Sequence, residues 1–185
     1  MKDLDRTLTI KTHAGDTTED ESSLIKIRKD KLSEIRNELN INPFPYTYKV
    51  KHHSADIFKN FDELSSSEQE VSAAGRIMTV REMGKASFCT IQDRDGRIQI
   101  YVAINAIGEQ SYKLFKKLDI GDIIGVTGTV KKTKTGEISV FATSLTLLSK
   151  NIRPLPVVKE KDGEVFDAFA DKELRYRNRH VDLIV

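Results

Sequence analysis

Cysteine is nearly missing from this chain, tryptophan is missing altogether, and proline is scarce: 185 residues hold one Cys, no Trp and four Pro. A lone thiol, Cys89, excludes a disulfide framework and a Cys-rich zinc site, and it suits a reducing, cytoplasmic compartment. No run of about 18 apolar residues occurs, so no helix is expected to span a membrane. The opening residues, Met1-Lys2-Asp3-Leu4-Asp5-Arg6, lack the apolar centre of a signal peptide. There is no Walker-type phosphate loop and no nucleophile elbow. The length suits one ordinary domain with attached helices or arms, and is too short for a binding domain plus a large catalytic one.

Excess charge of one sign is also missing, since 30 Lys and Arg face 28 Asp and Glu and leave +2. That average hides a gradient. Residues 1–70 carry 11 basic and 14 acidic side chains, residues 71–150 carry 12 and 7, and residues 151–185 carry 7 of each. The middle block is thus +5. It also holds eight of the ten glycines, while Pro43, Pro45, Pro154 and Pro156 all lie outside it. Proline cannot donate to a strand ladder and glycine permits turns and barrel bends, so this block reads as a β domain.

Four segments follow: a disordered arm over 1–22, a helical extension over 23–70, the β domain over 71–150, and a linker with the start of a further domain over 151–185. Ser22 or Ser23 offers an N-cap. Leu24, Ile27, Leu32, Ile35 and Leu39 then recur at helical spacing, and the helix should stop near Asn40 to Asn42, before Pro43. A short helix is expected from Ser54, with Ala55, Phe58 and Phe61 on one face, and a loop over Ser65 to Ser67. From Val71 the period becomes two. Strands are expected over Val71–Arg81, Lys85–Asp93, Arg97–Ala103, Ile123–Val130 and Ile138–Leu148, with a helix over Glu109–Leu118 on whose face Tyr112, Phe115 and Leu118 sit. Three strands, a helix and two strands are the order of a five-stranded Greek-key OB-fold barrel, here preceded by an amphipathic helix. Another small β barrel is the alternative, and the position of the helix disfavours it.

OB-folds bind along the second and third strands, and a +5 block favours a polyanion. If Ile98, Ile100 and Val102 face inward, period two turns Arg97, Gln99 and Tyr101 outward. A Gln amide carries donor and acceptor and can read a base edge, although a solvated strand residue would look the same. Phe88 is open between core and surface, because neither face of its strand is clearly apolar; outward, it is a stacking platform. In Lys131-Lys132-Thr133-Lys134-Thr135-Gly136-Glu137 the lysines suit phosphates. Glu137 can accept the N3–H of uracil and would repel the bare N3 of cytosine. His52-His53 has no Cys or His partner at ligand spacing, so no metal site is expected. Asp93 and Asp95 shape a turn rather than catalyse.

Gly75-Arg76-Ile77-Met78, Arg81, Gly84-Lys85-Ala86-Ser87-Phe88, Ile91-Gln92-Asp93, Gly96-Arg97-Ile98-Gln99 and Lys132-Thr133-Lys134-Thr135-Gly136-Glu137 together resemble the anticodon-binding domain of class II lysyl-tRNA synthetases. The likeness extends to Asn42-Pro43-Phe44-Pro45-Tyr46, to Arg153-Pro154-Leu155-Pro156, and to Arg175–Ile184, which looks like the opening of the family's catalytic domain. It implies that Phe88 stacks on the central anticodon uridine and that Arg81, Gln99 and Glu137 contact anticodon bases. Lys85, Lys131, Lys132 and Lys134 are then the backbone-contacting candidates. Two departures are Lys131-Lys132, where an aromatic often precedes the Thr-Lys-Thr segment, and His180, where Tyr is common.

The resemblance also implies a parent that joins lysine to tRNA(Lys) with ATP and magnesium, as a cytoplasmic homodimer. The three signature motifs of that catalytic domain are not in this chain, and the apolar run Val181–Val185 ends abruptly, so a truncated chain without aminoacylation activity or its own cofactor is expected. Three alternatives stand beside it: an OB protein binding single strands without sequence preference, a protein-interaction barrel, and the related aspartyl- or asparaginyl-tRNA synthetases.

Overall fold

The computed structural model describes residues 16–156, 159–161, 164–166 and 172–184. Its first element is helix α1 (Asp16–Asn37), followed by the short helices α2 (Ser54–Lys59) and α3 (Phe61–Ser66). Strands β1 (Val71–Met83), β2 (Ala86–Gln92) and β3 (Arg97–Ala103) come next, then α4 (Ile104–Lys116), β4 (Ile123–Lys132) and β5 (Ile138–Ser149). A two-stranded ribbon, β6 (Lys159–Lys161) and β7 (Glu164–Phe166), and the helices α5 (Lys172–Arg177) and α6 (Arg179–Asp182) complete the described chain.

The five long strands close into a barrel in the order β1-β2-β3-β5-β4. All contacts are antiparallel except β3 with β5, where Gln99, Ile100 and Tyr101 lie opposite Ser139, Val140 and Phe141. β1 serves both sides, pairing with β4 through Val71–Arg76 and with β2 through Arg76–Met83, with an irregularity between Ile77 and Thr79. Period two fills the interior. Ile77, Cys89, Ile91, Ile98, Ile100, Val102, Val126, Val130 and Val140 are each at most 2% exposed. Helix α4 packs Tyr112 and Phe115 of the expected face into the core, and Leu118 is buried as well, although the helix ends at Lys116, two residues short of the expected limit. It begins earlier than expected because a kink at Gly108 (φ 80°) joins a first turn, Ile104–Ile107, to the expected helix.

Three expectations are corrected. The arm anticipated over 1–22 is helical from Asp16 onward, and residues 1–15 lie outside the described residues. Second, α2 turns Ile57 inward and leaves Phe58 exposed, and helix α3 covers Ser65 and Ser66 where a loop was expected. Third, α1 is less apolar in its docking than its pattern suggests. Ile35 is buried, but Leu24 and Ile27 are exposed.

What holds α1 to the barrel is largely polar. Arg28 donates to the carbonyls of Ile120 and Asn151, and Glu34 pairs with Lys117. Lys31 Nζ lies 2.6 Å from Asp119 Oδ1. Asp119 also takes Lys150 Nζ at 2.5 Å, and Lys150 reaches the fully buried Asp122 at 2.8 Å. Burial alone would raise the Asp119 carboxyl, but hydrogen bonds from Lys150 and Lys31, and their charges, hold it below the ordinary carboxylate range.

Between α1 and the barrel, residues 43–53 form a strap. Pro43 is buried, and Lys51 and His52 both donate to the Ser72 carbonyl. The Tyr48 ring lies on Gly125, where any Cβ would fall into it, and its hydroxyl meets Ser72 and Thr127. Asp93 then pins the strap. It accepts from Ser54 N and Oγ at 2.6 and 2.7 Å, and from the amides of Asp95 and Gly96 in its own turn.

Candidate nucleic-acid interface

The inward set on β2 and β3 fixes the outward set. With Cys89 and Ile91 buried, Phe88 and Thr90 stand on the outer face. With Ile98, Ile100 and Val102 buried, Gln99 and Tyr101 stand beside them. Neither face of β2 reads as apolar because Ser87 points inward. Its hydroxyl is satisfied 3.1 Å from the Tyr112 hydroxyl, which donates onward to the Gly84 carbonyl. A buried Ser with a partner costs little, so the pattern can look polar on both faces.

Register places the candidates side by side. Arg81 lies opposite Phe88 on β1, and Phe88 lies opposite Tyr101 on β3. Tyr101 in turn lies opposite Phe141 on β5. The ring centroids are 5.1 Å apart for Phe88–Tyr101 and 4.8 Å for Tyr101–Phe141, tilted by 52° and 46°. An aromatic ladder of three therefore crosses the outer sheet, within the spacing at which such rings attract. Phe141 was not among the residues singled out from sequence. Its partner is set by the β3–β5 register, which links positions forty residues apart.

Next to the ladder lies a polar pair. Gln99 Nε2 donates to Glu137 Oε2 at 2.6 Å, and Ser139 Oγ donates to Gln99 Oε1 at 2.8 Å. Glu137 is aimed there by the β4–β5 turn. In it the Thr133 amide donates to the Glu137 carbonyl, the Thr133 hydroxyl accepts from the Glu137 amide, and Gly136 adopts φ 85°. A left-handed residue at that point favours glycine.

The cations divide into two sets. Arg81, Lys85 and Lys134 are exposed and make no ion pair among the described residues. Lys131 and Lys132 are turned toward α3 and the residues just after it. Lys131 Nζ lies 3.1 Å from Glu68 Oε1, and Lys132 Nζ lies 5.0 Å from the centre of the Phe61 ring. Among the described residues no group of three or more His, Cys, Asp or Glu is arranged to hold a metal, and no helix is long and apolar enough to cross a membrane.

An aromatic ladder, a fixed donor–acceptor pair and free cations on the outer face of an OB barrel define a class. Residues 71–148, the barrel strands and the inserted helix, match the family described as OB-fold nucleic acid binding domain. The chain is 51% identical over 167 residues to a lysine–tRNA ligase of Porphyromonas gingivalis, which covers 86% of the chain and 29% of that protein. It is 49% identical over 164 residues to a lysine–tRNA ligase of Carboxydothermus hydrogenoformans, covering 89% of the chain and 32% of that protein. To the lysine–tRNA ligase of Pelotomaculum thermopropionicum it is 48% identical over 172 residues, 93% of the chain and 32% of that protein. The chain is thus homologous to lysine–tRNA ligases, and spans 29–32% of the length of these relatives.

Proposed function

We propose that this chain is the anticodon-binding part of a lysine–tRNA ligase and reads the U-rich anticodon of tRNA(Lys). The observation that carries the reading is the Gln99–Glu137 hydrogen bond beside Phe88 on the outer face. One amide proton of Gln99 and one oxygen of Glu137 stay available, a donor beside an acceptor. Uracil offers the complement, a carbonyl beside N3–H, while cytosine offers a bare N3 acceptor where Glu137 needs a donor. Phe88 supplies the surface on which the base stacks, Arg81 reaches the same base edge from β1, and Lys85, Lys131, Lys132 and Lys134 contact the backbone.

The parent joins lysine to tRNA(Lys) with ATP and works as a homodimer. Magnesium serves that reaction in the parent, and no carboxylate cluster for it occurs among the described residues. In that reading this chain supplies the tRNA-binding part.

Titrating the chain with a lysine-anticodon stem-loop RNA tests the reading. Phe88→Ala is expected to lose about 1–3 kcal/mol of binding, the usual contribution of one stacked base. Changing the middle uridine to cytidine is expected to weaken binding as well. Equal affinity for any pyrimidine-rich strand would point instead to binding without sequence preference.

A further inference from the structure

An amide side chain is nearly symmetric in shape and not in chemistry, because turning it over exchanges a donor for an acceptor. A Gln at a reading position therefore selects no base until its orientation is fixed. Gln99 is fixed at both ends. Its nitrogen is held by Glu137 at 2.6 Å, and its oxygen by Ser139 Oγ at 2.8 Å. Among the described residues the Ser139 hydroxyl has no other partner of comparable geometry. Its single hydroxyl proton has one alternative acceptor, the Glu137 carbonyl at 3.4 Å, which is beyond the range of a normal O–H···O bond. The residue is fully buried and lies directly opposite Gln99 in the parallel β3–β5 register. A hydroxyl shut away from solvent is retained at little cost only when it is bonded, and this one is bonded to the reading amide.

We infer that Ser139 is a positioning residue for base selection. It holds the Gln99 amide so that the N–H faces the base together with the free oxygen of Glu137. Turned over, the amide would set its oxygen against the Glu137 carboxylate and present an acceptor beside an acceptor. Such an edge no longer matches uracil. Without the Ser139 hydroxyl, Gln99 keeps one tether instead of two and leaves the reading pose. The inference rests on the anticodon-reading role proposed above.

The test measures binding of stem-loop RNAs carrying U or C at the middle anticodon position by the unaltered chain, Ser139→Ala, Gln99→Ala and the double variant. Ser139→Ala is expected to lower the U-over-C preference by about three- to tenfold, the effect of one hydrogen bond. In the Gln99→Ala background the same change is expected to do nothing further, since Ser139 acts through that amide. Ser139→Thr keeps the hydroxyl and is expected to keep the preference. Should Ser139→Ala fail to fold, Ser139→Cys, of similar size with a weak donor, decides the same point. A full preference in Ser139→Ala, with Gln99→Ala impaired, overturns the positioning role alone. An undiminished preference in Gln99→Ala overturns the base-reading assignment and this inference with it. An equal loss in both backgrounds shows that Ser139 acts through the barrel rather than through Gln99, and also overturns the inference.

Discussion

Phe88 and Cys89 are neighbours with opposite environments. One stands on the outer face of β2, the other is sealed in the barrel at 1% exposure. Burial pushes the Cys89 thiol up to about 12, so almost no thiolate exists at neutral pH. We expect a thiol-specific reagent at pH 8 to leave the folded chain unlabelled and to label it once denaturant is added. The sequence narrowed the choice of face for Phe88 without closing it. What closes it is Ser87, whose inward position depends on the Tyr112 hydroxyl twenty-five residues away. Tyr101 was legible as outward from period two, whereas the places of Phe141 and Ser139 were not, because only the parallel strand pair brings Phe141 to Tyr101 and Ser139 to Gln99. Gly125 is a second case of a distant partner deciding a residue. Gly125→Ala pushes a methyl into the Tyr48 ring and is expected to destabilise the chain by about 1–3 kcal/mol, the usual cost of overpacking. A urea titration followed by circular dichroism measures it.

At the scale of elements, the barrel strands and the inserted helix were legible because alternation and glycine punctuation are local signals. The ends were less so. β1 and β4 each run two residues past the expected limit, into turns that keep the ladder going. Helix α1 was legible as a helix but not in its mode of attachment. Leu24 and Ile27 follow the apolar rhythm and still face outward, while Arg28, Lys31 and Glu34 reach partners 83 to 123 residues away. No periodicity encodes such partners. This attachment is pH-dependent in a definite sense. The Asp119 pKa is depressed in the folded chain, so ionised Asp119 contributes stability above the ordinary carboxylate range, and that stability is lost as pH falls through the lower folded value. Thermal unfolding by circular dichroism is expected to show a lower midpoint at pH 3 than at pH 7. Asp119→Asn should lower the pH 7 midpoint and flatten part of that dependence.

Across the whole molecule, the net charge of +2 conceals a basic barrel between an acidic N-terminal third and a neutral end. The acidic segment also touches the basic one, since Glu68 pairs with Lys131 beside the β4–β5 turn. Salt dependence is therefore expected to be uneven among the lysines. Replacing Lys134, which has no ion-pair partner among the described residues, should reduce the slope of log affinity against log salt by about one. Lys131→Ala should reduce it less, because Glu68 already neutralises part of that charge. Titrations with the stem-loop RNA at several salt concentrations give both slopes. The closure of the barrel through parallel strands has a further consequence, in folding. Gln99 and Ser139 belong to strands separated by α4 and all of β4, so the proposed reading edge exists only once β5 has docked on β3. A contact across that length of chain is expected to close later than the local β1–β2, β2–β3 and β4–β5 pairings. On the proposed reading the unfolded chain carries no partial version of the site, and RNA would be a ligand of the closed barrel alone. Bound at 100 times its dissociation constant, it would raise the stability of the fold by about 2.7 kcal/mol.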